Sequence, residues 1–329
     1  MGHSTWSDAA YQSRQQHRSA SGQSAFVYDQ QVRASGVAAV HPQMDPFGKV
    51  RESRDSAQHP DSVAIAVIFD VTGSMGRVPR VLQTKLGALM RVLIQRGYVA
   101  DPQLLFGGVG DAYCDRVPLQ IGQFESGLEM DDDLGRLFLE GGGGGQVHES
   151  YELALYFMAR HTSIDCYERR GRKGYLFTIG DEKPYDVVRA AQVRKLIGDE
   201  LERDLPVAQI VAEAQARYEC FHIIPTNTSH GRDPEVQERW RALLGERVLL
   251  LDDEAAVCET IALAIGLCEG TLDSLAAGAD DLAAAGADCD AAAAAATAIA
   301  PYAAARPAAP PLAAGLLAAP AGRPSDGRL

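Results

Sequence analysis

The chain has 329 residues, a formal net charge of −13 and six cysteines. This acidic balance argues against a surface for nucleic acid or anionic membrane and is compatible with cation binding. No apolar run is long enough to span a membrane, and residues 1–16 are polar, so neither an anchor nor a secretory signal is expected. The cysteines are scattered without a C-x-x-C pair, which favours reduced thiols and a cytoplasmic location.

The two ends of the chain differ in composition from its middle. Residues 1–24 are rich in Ser, Gln, His and Arg without periodicity, which predicts disorder. Residues 25–61 mix short apolar patches with Pro and Gly, and we interpret them as an irregular arm. Residues 270–329 shift to Ala, Gly, Pro and Asp, which predicts a disordered low-complexity tail, with a fluctuating helix over 275–300 as the alternative.

The middle of the chain alternates strand-like and helix-like patterns. Val63–Phe69 is continuously apolar and rich in branched side chains, which predicts a strand buried on both faces. Further strands are predicted at 104–109, 117–123, 174–179, 220–225 and 247–251, and helices at 77–96, 131–139, 151–158, 185–197, 207–218, 234–244 and 254–268. This order predicts an α/β fold over residues 62–269, with a Rossmann-like, doubly wound, mostly parallel sheet and one antiparallel edge strand.

A short polar loop follows the first of these strands. Asp70, Thr72 and Ser74 supply a carboxylate and two hydroxyls, which are hard oxygen donors suited to Mg²⁺ or Mn²⁺. Gly73 and Gly76 allow the backbone to turn sharply. Open α/β sheets place their ligand sites at this end of the strands. A hydrogen-bonded turn that caps the next helix is the plainer interpretation of the same loop.

The connectivity brings other polar loops to the same edge of the predicted sheet. Asp111 follows the second strand, and Asp181 follows the strand at 174–179. Five glycines at 141–145 precede a helix and are interpreted as a third loop there, although a bare linker would have the same composition. Glu149 and Glu182 are expected nearby. Carboxylates gathered in a partly dry cleft repel one another, and a divalent cation would relieve that repulsion.

The loop Asp70-x-Thr72-x-Ser74, together with Asp181 after its strand, resembles the metal-ion-dependent adhesion site of von Willebrand factor A (vWA) domains. The resemblance covers residues 62 to 268 and implies the same doubly wound fold. It implies that the hydroxyls bind Mg²⁺ or Mn²⁺ directly and that the carboxylates often act through coordinated water. Where the family commonly has a threonine, or an aspartate before a Pro-Glu pair, this chain has Gln146, an uncharged ligand.

The same resemblance implies an adaptor or scaffold rather than an enzyme. Such a site leaves one coordination position of the ion open for an Asp or Glu supplied by a protein partner. Stand-alone bacterial members often work beside an AAA+ ATPase or in multiprotein assemblies, so an assembly of that kind is the expected partner by analogy.

A Mg²⁺-dependent hydrolase acting on phosphate esters is the alternative function, because a metal and several carboxylates can activate water. Only Lys183 and Arg116 are expected near the site as cations that could hold such a substrate. Two other catalytic motifs are incomplete. His148-Glu149 lacks the second histidine of H-E-x-x-H, and Thr72 replaces the first glycine of G-x-S-x-G.

Overall fold

The computed structural model describes residues 4–142 and 147–306, apart from the side chain of Ser74. Within these ranges the helices are α1 (Asp8–Ser21), α2 (Val27–Ser35), α3 (Val78–Gln95), α4 (Glu129–Gly135), α5 (Tyr151–Arg160), α6 (Asp165–Glu168), α7 (Ala190–Leu196), α8 (Val207–Arg217), α9 (Pro234–Leu244), α10 (Val257–Glu269), α11 (Leu275–Ala284) and α12 (Cys289–Ala305). The strands are β1 (Arg51–Ser53), β2 (Ser62–Asp70), β3 (Asp101–Val109), β4 (Leu119–Ile121), β5 (His148–Glu149), β6 (Thr162–Ile164), β7 (Gly174–Ile179), β8 (Lys183–Pro184), β9 (Val187–Val188), β10 (Leu205–Pro206), β11 (Tyr218–Pro225) and β12 (Val248–Leu251).

A six-stranded sheet in the order β12-β11-β7-β2-β3-β4 forms the centre of the fold. All neighbouring pairs are parallel except β3 with β4, which is antiparallel at the edge. Every residue of β2 is buried, as its uninterrupted apolar sequence predicts for a strand covered on both faces. The predicted α/β class, with a mostly parallel sheet and one antiparallel edge strand, is confirmed.

Alternating residues of β2 divide the core into two layers. Val63, Ile65 and Val67 join the layer that contains α3, α10 and α12. Ala64, Ala66 and Ile68 join the layer that contains α5, α8 and α9. Because neighbouring side chains of a strand point to opposite faces, a single apolar run supplies both layers.

The segment after β7 is less helical than its sequence indicates. A helix was predicted over 185–197, but α7 covers only Ala190–Leu196. Before it, β8 pairs with β5 and β9 pairs with β10, so the backbone of 183–188 is used in short ladders. Pairing between distant segments has overridden local propensity here.

The structure corrects the predicted disorder of the N-terminal segment. Residues 8–21 form α1, whose first turn is capped by the Ser7 side chain. Tyr11 is buried against α3, and its hydroxyl donates to the Gln83 carbonyl. Arg18 forms an ion pair of 2.8 Å with the buried carboxylate of Asp131. One aromatic side chain and a few ion pairs hold this polar helix on the core. Because the helix has no broad apolar stripe, the sequence periodicity does not reveal it.

The predicted disorder of the tail is corrected over residues 275–305, which form α11 and α12, while residues 307–329 lie outside the described residues. Ile299 and Ala295 of α12 are fully buried in the layer with α10. Alanine supplies little contrast between the two sides of a helix, yet its small side chain allows close packing against a neighbour. In the part of the chain that the structure describes, no helix is both long and apolar enough to cross a membrane.

The packing of α12 predicts that it contributes to stability. Ile299→Ala should lower the free energy of unfolding by about 3 kcal/mol, because it leaves a cavity in a buried site. Thr297→Ala, on the exposed side of the same helix, should change it by less than about 0.5 kcal/mol. Urea unfolding of both variants measures the difference, and equal values would show that α12 is not anchored on the core.

Candidate metal site

Two loops and a short strand meet at the carboxyl-terminal edge of the sheet. Asp70 is the last residue of β2, the loop after β7 contains Asp181 and Glu182, and β5 pairs with β8 beside them. In the parallel pairing of β5 with β8, Glu149 is opposite Pro184, and the Lys183 N–H donates to the Val147 carbonyl at 3.1 Å. This two-residue ladder places the Glu149 carboxyl group beside that of Glu182.

Asp70, Glu149 and Glu182 form a buried carboxylate cluster, which we call the carboxylate trio. One oxygen of each lies within 4.8 Å of the others. Asp70 Oδ1 accepts a hydrogen bond of 2.6 Å from the Thr72 backbone N–H. Asp70 Oδ2, Glu149 Oε2 and Glu182 Oε2 are buried and have no hydrogen-bond partner within the described residues.

Two buried hydroxyls near the trio also lack a partner in the described part of the chain. They are Thr72 Oγ1, in the loop that follows Asp70, and the Tyr151 hydroxyl, which lies against Gly180. Buried polar atoms without partners are costly and usually indicate a missing water or ion. Because all these atoms are oxygens, the donor set fits a hard divalent cation such as Mg²⁺ or Mn²⁺.

The raised pKa values of the trio also favour a bound cation. Burial raises the pKa of Asp70 well above its usual range, and Glu182 and Asp181 add to that rise. Burial also raises the pKa of Glu149, with Asp70 and Glu182 contributing. Burial raises the pKa of Glu182 to about 7. Without a metal the trio therefore retains protons, and a divalent ion would displace them.

The structure places the predicted ligands in three different situations. Asp70 and Thr72 lie at the trio. Asp181 is buried at the same edge, and its Oδ2 accepts a hydrogen bond of 2.8 Å from the His230 N–H. The backbone of Ser74 lies in a 3-10 turn over residues 73–75, but its side chain, like the whole of Gln146, lies outside the described residues.

Asp111 is buried as well, but it lies outside the trio. The Tyr185 hydroxyl is 3.1 Å from each of its carboxylate oxygens, and the Tyr113 N–H donates to Oδ1 at 3.0 Å. Tyr185 packs between Tyr113 and His148, at ring-centroid distances of 4.8 and 5.1 Å. These rings form an aromatic ledge beside the candidate site.

Sequence reasoning placed Glu149 and Glu182 near the edge but omitted them from the ligand set. Their proximity depends on the pairing of β5 with β8, and strands of two residues leave no periodic pattern in a sequence. The adjacency of Glu182 to Asp181 was the one available signal, because a loop that delivers one carboxylate can deliver the next.

A layer of aromatic side chains packs against the buried side of the candidate site. Tyr151 packs edge-on against His222 and Trp240, whose rings stack at 3.6 Å, and the Trp240 indole N–H donates to the Glu182 carbonyl at 2.9 Å. A Cβ atom on Gly180 would lie 1.7 Å from the Tyr151 hydroxyl oxygen, so this position requires glycine. The layer excludes water, which strengthens every charge interaction above it.

The first two residues of the glycine run, Gly141 and Gly142, lie beside the loop that follows β2, as predicted for a loop on this edge. The Gly73 N–H donates to the Gly142 carbonyl at 3.0 Å, and the Gly141 N–H donates to the Val71 carbonyl at 3.4 Å. Gly73, Gly141 and Gly142 are exposed. The outer surface of the candidate site is therefore backbone without side chains at these three positions.

Comparison with known proteins identifies no family. No family model matches the chain, and no curated protein sequence does. Matching solved structures include the pilus adhesin SpaC from Lactobacillus rhamnosus GG in its open conformation, at 9% identity and a TM-score of 0.41 over 72% of this chain and 31% of that one. Proximal thread matrix protein 1 from the mussel byssus matches at 9% identity and a TM-score of 0.41, over 67% of this chain and 49% of that one. The chain spans less than half the length of either structure.

The raised pKa values predict how stability depends on pH. The folded-state pKa of Glu182, about 7, exceeds its ordinary value of 4.5, so between these values the folded state binds more protons than the unfolded state. This contribution to stability is complete below the lower value and is lost as pH rises through the upper one. In EDTA the melting temperature should therefore fall between about pH 5 and about pH 8.

Two variants test the assignment of this pH dependence. Glu182→Gln should reduce the fall, because the amide does not titrate, whereas Glu238→Gln on the exposed face of α9 should leave it unchanged. Circular dichroism melts across the pH range measure both. An equal fall in Glu182→Gln and the wild type would assign the titration to other groups.

Proposed function

We propose that this chain is a divalent-metal-dependent protein-interaction module, an adaptor or scaffold that presents a bound Mg²⁺ or Mn²⁺ ion to a protein partner. The observation that carries the proposal is the carboxylate trio, in which buried oxygens lack partners at the edge of the sheet where α/β folds place their ligands.

The proposed ligand set combines the structure with the vWA resemblance. Asp70 and Thr72 belong to both, Glu149 and Glu182 come from the structure, and the resemblance contributes Ser74, Gln146 and Asp181. The His230 N–H already bonds to Asp181, which suits a role for this carboxylate through coordinated water. With hydroxyls and few carboxylates as direct ligands, and the other carboxylates acting through coordinated water, the ion would keep enough positive charge to attract an external anion.

The shape of the surface supports a partner that contributes one small acidic group. Asp70 and Glu149 are almost completely buried, and the exposed residues Gly73, Gly141 and Gly142 carry no side chains that would hinder an approaching group. A single Asp or Glu side chain is small, and its oxygens are preferred ligands of Mg²⁺. The aromatic ledge of Tyr113, Tyr185 and His148 would add apolar contact beside it.

The cations near the site favour this function over the hydrolase. Arg116 forms an ion pair of 2.7 Å with Glu140, and Lys183 forms one of 3.1 Å with Glu235. The two cations that the sequence places near the site therefore pair with carboxylates of the chain itself in the free protein. An AAA+ ATPase or another multiprotein assembly stays the proposed partner by analogy.

The proposal includes a cytoplasmic location. None of the six cysteines forms a disulfide within the described residues, and four of them are at least partly buried. Unpaired thiols in this number are typical of a reducing compartment.

The proposal predicts that metal binding depends on Asp70. Mg²⁺ should raise the melting temperature of the wild type in proportion to the logarithm of its concentration once the site is saturated. Asp70→Ala should remove this increment, whereas Asp273→Ala, which removes an exposed carboxylate elsewhere, should retain it. Calorimetric titration with Mg²⁺ checks the same contrast directly. Equal affinity in the wild type and Asp70→Ala would place the ion elsewhere.

Affinity purification then tests the function. A partner captured by the wild type and by Asp273→Ala in Mg²⁺ should be lost in EDTA and lost with Asp70→Ala. Metal-independent capture would contradict the adhesion mechanism. Metal-dependent hydrolysis of phosphate esters that disappears in Asp181→Ala would instead support the hydrolase.

A further inference from the structure

A cleft lies at the edge of the sheet opposite to the carboxylate trio. It has a volume of about 640 Å³, within the range of sites for small organic ligands. Its lining includes Tyr175 and Glu219, the second residues of β7 and β11, together with the turn before β12 and the ends of α10 and α12. Because these strands are parallel, their first residues lie at the amino-terminal edge, whereas Asp70 and Asp181 lie at the carboxyl-terminal edge.

Four cationic side chains from three separate segments line this cleft. Arg172 and Lys173 precede β7, Arg247 ends the turn before β12, and Arg306 follows α12. Three carboxylates, those of Glu219, Glu246 and Glu269, line it as well. The lining thus carries one more positive than negative side chain, and Arg172 also pairs with Asp61 outside the lining, at 3.6 Å.

The carboxylates of the cleft do not use all of its cationic donors. Glu269 accepts from Arg172 at 2.6 Å and from the Tyr175 hydroxyl at 2.5 Å. Glu219 is shared between Arg247 and Lys173, the latter at 3.8 Å. Each of these two carboxylates therefore already has two donors, which limits the negative charge that they present to the cleft.

Two arginines keep hydrogen-bonding capacity. Arg247 Nη1 is buried and has no hydrogen-bond partner within the described residues. Arg306 donates to the Leu267 carbonyl, and no described carboxylate pairs with it. Arg306 therefore keeps donors for an oxyanion in the cleft, whereas Arg247 Nη1 has almost no exposed surface, so Arg247 contributes mainly through its positive charge.

Aromatic rings lie against both of these guanidinium groups. Arg247 lies over Phe221 at 5.1 Å and over Tyr302 at 5.5 Å, and Arg306 lies over Tyr302 at 6.0 Å. An arginine stacked by its face on a ring keeps its N–H donors in the plane of the guanidinium, where they can bind an oxyanion in a forked geometry. The arginines are thus preorganised, so less conformational entropy is lost when an anion binds.

We propose that this cleft is a binding site for a small phosphate-bearing molecule, with Arg306 as its principal hydrogen-bond donor and Arg247, Arg172 and Lys173 adding positive charge. A phosphate group fits donors that approach from several segments, because its terminal oxygens point in different directions, whereas a carboxylate presents two oxygens in one plane. The site is separate from the proposed metal site and does not depend on it.

Calorimetric titration of the full chain with inorganic phosphate in EDTA tests the proposal. Saturable binding is expected in the wild type. Arg306→Gln should weaken it roughly tenfold, the size expected when one charge-assisted hydrogen bond is lost. Arg247→Lys should weaken it less than Arg306→Gln does, because lysine keeps the positive charge beside Glu219. Arg203→Gln, which removes an exposed arginine that does not line the cleft, should change the affinity less than twofold.

Every outcome of this experiment decides the proposal. Absence of saturable binding in the wild type, or equal weakening in Arg203→Gln and Arg306→Gln, would overturn it. Loss of phosphate binding in Asp70→Ala would also overturn it, since the anion would then bind at the other edge. Tighter binding of citrate than of phosphate would overturn the assignment to phosphate. If Arg247→Lys fails to fold in a thermal melt, Arg306→Gln still decides the question, because Arg306 is partly exposed just beyond the end of a helix.

Discussion

Three carboxylates buried within 4.8 Å of one another are the constraint on which the proposed function of this protein depends. Their mutual repulsion and loss of hydration oppose folding unless protons or a cation neutralise them. The fold nevertheless concentrates them, by ending β2 at Asp70 and by pairing β5 with β8. A site that is unfavourable when metal-free and favourable when loaded couples metal binding to stability, which is why pH and metal ions should act on the same groups.

The layer beneath the trio makes this coupling stronger. Tyr151, His222 and Trp240 pack between the sheet and the helices of one face, so little water can screen the charges above them. Burial lowers the pKa of His222 well below its ordinary value, so this imidazole stays neutral and does not offset the carboxylates. The negative charge of the trio must therefore be neutralised by bound protons or by an ion from outside the chain.

The parallel sheet also separates two kinds of charge. Its carboxyl-terminal edge carries the acidic loops, and its amino-terminal edge carries the cleft of Arg172, Lys173, Arg247 and Arg306. Strand direction produces this separation, because loops that leave parallel strands meet at one edge and loops that enter them meet at the other. One domain can thus offer two sites of opposite charge preference without electrostatic interference at short range.

The sequence by itself determined the sheet and the position of the first acidic loop. The apolar run of β2 is long and uninterrupted, and the strand–helix alternation after it specifies a parallel sheet, so Asp70, Thr72 and Asp181 could be assigned to one edge without coordinates. Tertiary structure alone decided that Glu149 and Glu182 join Asp70, because two-residue strands leave no pattern in the sequence. It alone decided that α1 and α12 pack on the core, since one tyrosine or a face of alanines gives too little periodic contrast to predict burial. Local patterns predict structure where many neighbouring residues agree, whereas contacts between distant residues depend on the whole fold.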